Sequence, residues 1–245
     1  MTTRIVPLDI ARAITLAVAC AALLLLLMSG PGTRLGAWSW QNGIAMVRWA
    51  FYMGAAAGIS AAALAILLLV PKFRFRPWVP VLALLIALVA IVPPLLLLSN
   101  AKAVPRIHDV TTDMADPPAF VALMEERRKA PNGFAYGGEA IAAQQRAGYP
   151  DLKALVMKAA PREVMQRVID EARSMGWEVV ASDAAAGRVE ATDTTRWFGF
   201  KDDIVVRVRA EGEGSRVDVR SVSRVGLSDL GANAIRIRSF LGRLA

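Results

Sequence analysis

Cysteine and histidine are almost absent from the sequence, which has one of each, Cys20 and His108, among 245 residues. A single cysteine excludes an intramolecular disulfide and a zinc site of the CxxC type. The GxSxG motif, which would place a nucleophilic serine on a sharp turn, is also missing. The sequence thus lacks two common signatures of metal and hydrolase chemistry, and we expect no metal and no cofactor.

Acidic residues are nearly absent from the first hundred positions, where Asp9 is the only one beside seven Lys and Arg. The remainder has 22 basic and 20 acidic side chains, so most of the net charge of +8 lies on the hydrophobic part. A protein that binds nucleic acid would carry this charge on a soluble face. We therefore expect no nucleic-acid partner.

Three long apolar runs, roughly 13–29, 49–70 and 79–99, occupy the first hundred residues. Spanning the hydrocarbon core takes about 20 predominantly apolar residues, and about 17 are tolerated. Residues 1–100 are therefore predicted to form a three-helix transmembrane module with the lipid bilayer as its partner. The alternative for the first run is a cleaved signal peptide, with Arg4 and Arg12 as its basic start.

Basic residues in the loops predict the orientation of this module. The loop between the second and third runs contains Lys72, Arg74 and Arg76 and no acid. Because basic loops stay in the cytoplasm, we expect a cytoplasmic N-terminus and place everything after about residue 100 on the outer side. Lys102 and Arg106 count against this orientation.

Gly54 and Gly58 form a GxxxG motif, which lets two helix backbones approach closely. Packing within the chain and homodimerisation both explain it. Pro93 and Pro94 each remove a backbone donor and are expected to kink or locally unwind the third helix. No ionisable residue lies deep within the three runs, which argues against a transporter.

Beyond residue 100 the composition is that of a soluble protein. Residues 101–150 contain five prolines and the stretch NGFAYGG, which predicts an irregular strap, with a short helix over about 117–129 and Asp116 as its N-cap. Residues 151–245 are predicted to form an α+β domain. With the strap they make one soluble unit, 101–245.

The α+β domain is predicted to contain a strand, a helix, four strands and a last helix. The first helix opens at Pro161 and closes at Gly176, and the last starts at Ser228 or Asp229. This order predicts an antiparallel sheet with two to three helices, packed on one face. One strand alternates strictly, which predicts one buried and one largely wet sheet face. The buried set is Ile204, Val206 and Val208, and the wet set is Val205, Arg207 and Arg209.

Five segments of the soluble part carry a resemblance to a known family. They are IHDVTTDMADPPAF (107–120), YPDL (149–152), MGWEVV (175–180), GRVEATDTTRWFGFKDDIVVRVR (187–209) and GSRVDVRSVSRVGLSDLGANAIRIRSFL (214–241). Together they resemble the bacterial domain of unknown function family 1499. This resemblance implies membrane attachment, through helices or a lipid anchor, and it implies no reaction.

His108 and Asp109 are the candidate general acid–base pair. With Asp113 and Asp116 they would suit calcium or magnesium better than zinc, because those cations prefer oxygen ligands. The spacing is not that of an EF-hand loop. The alternative is an extended arm, in which Asp and Thr satisfy their own backbone in turns.

Five further residues are candidates for binding a ligand: Trp197, Phe200, Ser223, Arg224 and Ser228. The two aromatics either close the end of the sheet, line a pocket for an apolar ligand or dock on the bilayer surface. The other three precede a helix N-terminus, where backbone N–H groups and an arginine attract a carboxylate or phosphate. The alternative for Arg224 is an ion pair with Asp202 or Asp203.

These features favour a non-enzymatic, multi-pass protein of the bacterial inner membrane. Its periplasmic α+β domain would bind a lipid-like or anionic ligand or an envelope partner protein. One alternative is an envelope hydrolase that uses His108 and the neighbouring carboxylates. Another is a structural subunit of a membrane complex.

Overall fold

A computed structural model describes residues 6–70 and 76–245 of the protein. The chain divides into two compact units. The first contains the three long helices, the third of them up to Ser99, and the short segment Arg196–Gly199. The second contains Asn100–Thr195 and Phe200–Ala245.

The first unit is built from α1 (Val6–Arg34), α2 (Trp40–Leu67) and α3 (Trp78–Ala103). All three are long and apolar enough to cross a membrane, as predicted. Helix α2 starts nine residues before its apolar run, because the Ser39 side chain caps it by accepting a hydrogen bond from the Asn42 N–H. Lys72 and Arg74, on which the predicted orientation depends, lie outside the described residues.

Small residues hold α2 close to α3. Gly54 and Gly58 are both buried, and a Cβ atom added to Gly54 would lie 3.1 Å from the Ala90 Cβ atom. Packing within the chain therefore accounts for the GxxxG motif, while homodimerisation through it stays a prediction. Helix α3 is continuous through Pro93 and Pro94, so the expected unwinding there is not observed.

The second unit is an antiparallel sheet with helices, as predicted. Its elements are β1 (Asp109–Thr111), α4 (Met124–Lys129), α5 (Gly138–Gly148), β2 (Leu155–Met157), α6 (Pro161–Ser174), β3 (Glu178–Asp183), β4 (Arg188–Thr194), β5 (Lys201–Glu211), β6 (Gly214–Ser223) and α7 (Ala232–Leu244). The long strands lie in the order β6-β5-β4-β3, and β1 and β2 both pair with β6.

The main hydrophobic core lies between one face of this sheet and helices α6 and α7. Ile204, Val206 and Val208 of β5 are buried there, as their alternation predicts. Trp177 stacks on Phe240 of α7 with 5.0 Å between the ring centroids. This face of the sheet is called the helix face below.

The opposite face is covered by the strap and is called the strap face. The prediction of a largely wet face was wrong, because Phe120 and Leu123 of the strap pack on Val205 and Val222. Polar residues of this face are buried too, including Asp218 at 0% exposed. The strap therefore belongs to the fold of the second unit and supplies a second, smaller core.

The strap is held against the sheet by polar contacts that cannot be predicted from the local sequence. Its helix α4 begins at Met124, so the expected start at Pro117 with an Asp116 cap was wrong. The Glu190 carboxylate, from β4, instead accepts the backbone N–H groups of the turn before α4, at 2.8–3.0 Å. The Asp116 carboxylate accepts hydrogen bonds from Arg207 and Arg209 of β5.

Helix α7 begins at Ala232, three residues beyond the later of its two predicted starts. Asp229 nevertheless supplies the cap, since its carboxylate accepts the N–H groups of Gly231 and Asn233, each at 2.8 Å. Burial raises the pKa of this carboxyl group, against the effect of those two hydrogen bonds.

Candidate functional site: a buried arginine cluster

Three arginines converge on the strap face, and they are called the arginine cluster: Arg127, Arg220 and Arg224. Arg220 and Arg224 are four positions apart in and just after β6, so the two-residue period of a strand puts them on the same face. Arg127 comes from α4, which Glu190 fixes against the sheet. The strap thus brings the third guanidinium group over the strand that carries the other two.

Four of the five N–H groups of Arg220 have partners within the protein. Its guanidinium group forms a two-point ion pair with Asp109, with Nε–Oδ1 at 3.0 Å and Nη2–Oδ2 at 2.7 Å. It also donates to the backbone carbonyl groups of Pro118 and Phe134. Asp109 is therefore the partner of Arg220, and His108 provides its backbone carbonyl oxygen to the Ser223 N–H and the Asn233 Nδ2 atom.

Arg224 is also paired. It donates to both carboxylate oxygens of Asp203 at 2.9–3.2 Å and to Glu126 at 3.2 Å. The predicted alternative of an ion pair with Asp203 is what the structure shows. Burial lowers the pKa of Arg224, but the hydrogen bonds and charge of Asp203 outweigh that effect and leave the pKa raised.

Arg127 differs from both, because it is buried and only partly satisfied. Its side chain is 0% exposed, and its Nη1 atom donates to the Val222 carbonyl oxygen at 3.1 Å and to Asp203 at 3.4 Å. Its Nε and Nη2 atoms have no hydrogen-bond partner in the described part of the chain. Burial lowers the pKa of Arg127, and the charge of Asp203 opposes this.

An aromatic ring separates the two most buried guanidinium groups. The Phe120 centroid lies 5.5 Å from the Arg127 Cζ atom and 5.4 Å from the Arg220 Cζ atom. A ring face favours a cation, but it accepts an N–H only weakly. The ring therefore compensates part of the charge and leaves hydrogen-bonding capacity on Arg127.

The ion pairs of the cluster are unevenly distributed. The three guanidinium groups contact two buried carboxylates, Asp109 and Asp203, and the 51% exposed Glu126. The buried Glu190 carboxylate on the same face is occupied by backbone N–H groups and Arg188. Arg127 therefore shares Asp203 with Arg224 and has no carboxylate of its own. A buried charge that is poorly paired is unfavourable, so the site favours an added anion.

Tyr136 lies beside the cluster, with its ring centroid 5.6 Å from the Arg220 Cζ atom. Its hydroxyl group is buried and has no hydrogen-bond partner among the described residues. Burial and the charge of Asp109 raise the pKa of Tyr136 to about 12. The hydroxyl group therefore stays protonated near neutral pH and is available as a donor.

A glycine-rich loop, residues 132–138, covers this region. Asn132 anchors its start by donating to the Ser223 and Gly226 carbonyl oxygens. Gly133 and Gly138 both have a φ of +62°, which glycine adopts at little cost. The loop's Phe134 side chain is 40% exposed, so an apolar group lies at the surface next to the buried cationic site.

Chemically, this arrangement is suited to binding an anion. Guanidinium groups and a neutral phenol offer donors for carboxylate or phosphate oxygens. No group of three or more His, Cys, Asp or Glu side chains that could hold a metal occurs within the described ranges, 6–70 and 76–245. The cluster therefore resembles a recognition site for a negative group.

The five predicted ligand-binding residues are divided between the two units. Trp197 belongs to the first unit and is 45% exposed, whereas Phe200 belongs to the second. Ser223 is 6% exposed, and its hydroxyl oxygen accepts from the Asn233 side chain. The Ser228 hydroxyl oxygen accepts the Leu230 N–H in a local turn. Only Arg224 lies in the arginine cluster.

Arg127, Arg220 and Tyr136 were missed by the sequence analysis. Arg127 sits in the charged stretch MEERRK, which looks like an exposed helix, and Arg220 sits on a strand face expected to be wet. The sequence contained one sign that this stretch is buried. Phe120 and Leu123 are apolar, and such side chains need an apolar surface to pack against.

A comparison with family models identifies the class to which the chain belongs. The model described as "Protein of unknown function (DUF1499)" matches residues 109–244, which is more than half of the chain. The chain belongs to this family, and the resemblance drawn from its segments is confirmed. The matched region includes β1, which carries Asp109, and all three arginines of the arginine cluster.

Two further comparisons add no information about function. No curated protein matches the chain. Among solved structures, the chain is similar to CalU16 from Micromonospora echinospora, with 16% identity and a TM-score of 0.25. That alignment covers 37% of this chain and 72% of the other.

Proposed function

We propose that this is a membrane-anchored, non-enzymatic binding protein of the bacterial inner membrane, whose periplasmic domain binds the anionic head of an amphiphile. The head group would be a carboxylate or phosphate, held by Arg127, Arg220 and the Tyr136 hydroxyl group. The observation that carries this proposal is the buried Arg127, whose Nε and Nη2 atoms lack partners in the described residues.

An anion would supply what the site lacks. It would accept hydrogen bonds from the unpartnered nitrogens of Arg127, and it would give Arg127 a counter-charge that it does not share with Arg224. A hydrogen bond to a charged group contributes about 1.5–3 kcal/mol. We expect the ligand to enter at the glycine-rich loop, which contacts the cluster through the Phe134 carbonyl oxygen and the Asn132 N–H group.

An amphiphile fits the surroundings better than a small, fully hydrated ion. The domain follows a candidate membrane helix directly in the chain, so amphiphiles of the bilayer are its nearest potential ligands. The exposed Phe134 ring offers an apolar contact beside the cationic site. A ligand with a charged head and an apolar tail would use both features.

Titration of the full-length protein in a neutral detergent tests this proposal, with hexyl phosphate and hexanoate as probes. We expect both to raise the melting temperature, since a ligand at a hundred times its Kd stabilises the folded state by about 2.7 kcal/mol. Arg127→Met should weaken binding by at least about tenfold, because it removes the charged donor. Asp203 stays paired with Arg224 in this variant, so we expect it to fold.

Arg173→Met is the matched control, because it makes the same change on α6, where the side chain is exposed and lies outside the arginine cluster and the glycine-rich loop. It should bind like the wild type. Hexanol should give no comparable shift. An equal shift with hexanol, or equal binding by Arg127→Met and wild type, would show that the arginine cluster does not bind anions.

A further inference from the structure

The segment between β6 and α7 exposes large apolar side chains. Leu227 is 67% exposed, Leu230 is 41% exposed, and Ile235, in the first turn of α7, is 64% exposed. These three residues are called the apolar loop. Three such side chains within nine positions are more than the scattered single exposures that are ordinary on a soluble surface.

The backbone of the apolar loop adds to this picture. Leu230 has a φ of +56°, in the left-handed region where glycine is much less strained than leucine. The strain does not serve to bury the side chain, which remains exposed. Such strain at an exposed position points to a use outside the domain's own packing.

The apolar loop lies at the point where the chain leaves its third candidate membrane helix. A Cβ atom added to Gly231 would lie 3.3 Å from a Val104 side-chain atom, and the Asp229 N–H donates to the Ile107 carbonyl oxygen at 3.0 Å. Val104 follows directly on Ala103, the last residue of α3. The loop is therefore packed on the first residues after that helix.

Helix geometry places these residues close to the membrane surface. The apolar run of α3 ends near Leu98, and the five residues to Ala103 rise by about 7.5 Å along the helix. Each headgroup layer of a bilayer is about 5–8 Å thick. Val104 then lies near the outer limit of the headgroup layer, and side chains that project from a loop packed on it can reach the bilayer.

The charges nearby agree with this placement. Lys102 and Arg106, on either side of Val104, are exposed and would attract anionic lipid. The acid within the loop, Asp229, turns its carboxylate toward its own backbone, where it caps α7. The surface presented to the bilayer is therefore apolar and basic.

We infer that the apolar loop docks on the bilayer, with Leu227 and Leu230 inserted among the lipid headgroups and Lys102 and Arg106 bound to anionic lipid. This contact would hold the domain against the membrane at a second point besides the helix connection. It would do so independently of the arginine cluster.

Lipid quenching of a fluorescent label tests this inference on the full-length protein. Cys20, the single native cysteine, is first replaced by alanine, and the label is attached to Leu227→Cys or Leu230→Cys. The proteins are reconstituted in vesicles of phosphatidylcholine and phosphatidylglycerol that contain lipid spin-labelled near the headgroup. The matched control is Val156→Cys, which lies on β2, away from the loop, and is 60% exposed.

We expect strong quenching and a blue-shifted emission at positions 227 and 230, and little of either at position 156. Quenching should weaken in vesicles without phosphatidylglycerol. Equal quenching at all three positions, or none at 227 and 230, would overturn the inference. Disulfide crosslinking between two copies of the unlabelled Leu227→Cys protein, with no quenching of the labelled protein, would assign the loop to a protein contact and overturn it as well. If the anion titration fails but the quenching is preserved, the proposed function is wrong and the docking of the apolar loop still stands.

Discussion

Replacing Asp203 by alanine is expected to lower the free energy of unfolding of the second unit by about 3–5 kcal/mol. Asp203 has a side chain that is 0% exposed, and it accepts hydrogen bonds from Arg224, Arg127 and the Thr192 hydroxyl group. The variant removes the carboxylate that Arg127 and Arg224 share, and it leaves Asp109, which is already paired with Arg220, and the half-exposed Glu126. The cost arises from these uncompensated charges more than from the lost contacts.

Urea denaturation of the full-length protein in detergent, followed by near-UV circular dichroism, measures this effect. The matched control is Asp151→Ala, because Asp151 forms an equally good two-point pair with Arg238, at 2.6 and 2.7 Å, but is 55% exposed. An exposed pair contributes about 0–1 kcal/mol. Similar losses for Asp203→Ala and Asp151→Ala would contradict the view that the strap-face charges are buried and interdependent.

A reporter enzyme that is active only outside the cytoplasm is expected to be fully active when fused after Ala245. Three spanning helices place the two ends of the chain on opposite sides, and the basic loop with Lys72, Arg74 and Arg76 favours the cytoplasm. The same reporter fused after Pro77 should be inactive, because that position follows the basic loop. The pair of fusions therefore gives opposite results in one experiment.

The basic loop can be tested as the cause of this orientation. Changing Lys72, Arg74 and Arg76 together to glutamine removes the strongest positive cluster of the helical unit, and we expect part of the population to invert. Activity of the Pro77 fusion in the unchanged protein would place the basic loop outside. The α+β domain would then lie in the cytoplasm, and the periplasmic part of the proposed function would be wrong.

The sequence predicted the parts of the fold that depend on local patterns. Three apolar runs identified the three candidate membrane helices, and the alternation of Ile204, Val206 and Val208 identified the face that packs on α6 and α7. Pro161 and Gly176 marked the ends of α6, because proline suits the first helical turn and glycine adopts the positive φ of +80° found there. Each of these signals comes from a few neighbouring residues.

The candidate site depends on contacts between residues far apart in the chain, which local patterns do not contain. Asp109 and Arg220 are paired across 111 positions, and Glu190 holds a turn more than 60 positions before it. Charged residues such as Arg127 are ordinarily exposed, so sequence reasoning places them in solvent. Their burial follows from the strap folding over the sheet, which the prolines of residues 101–150 gave no reason to expect.

Mass spectrometry of the full-length protein, purified from its membrane in a neutral detergent, tests the central claim most directly. We expect one anionic amphiphile per chain on the wild type and on Arg173→Met, and its loss from Arg127→Met. A wild-type protein that carries no such molecule and binds none when anionic lipid is added back would contradict it. Equal occupancy of Arg127→Met would contradict the assignment of the site to the arginine cluster.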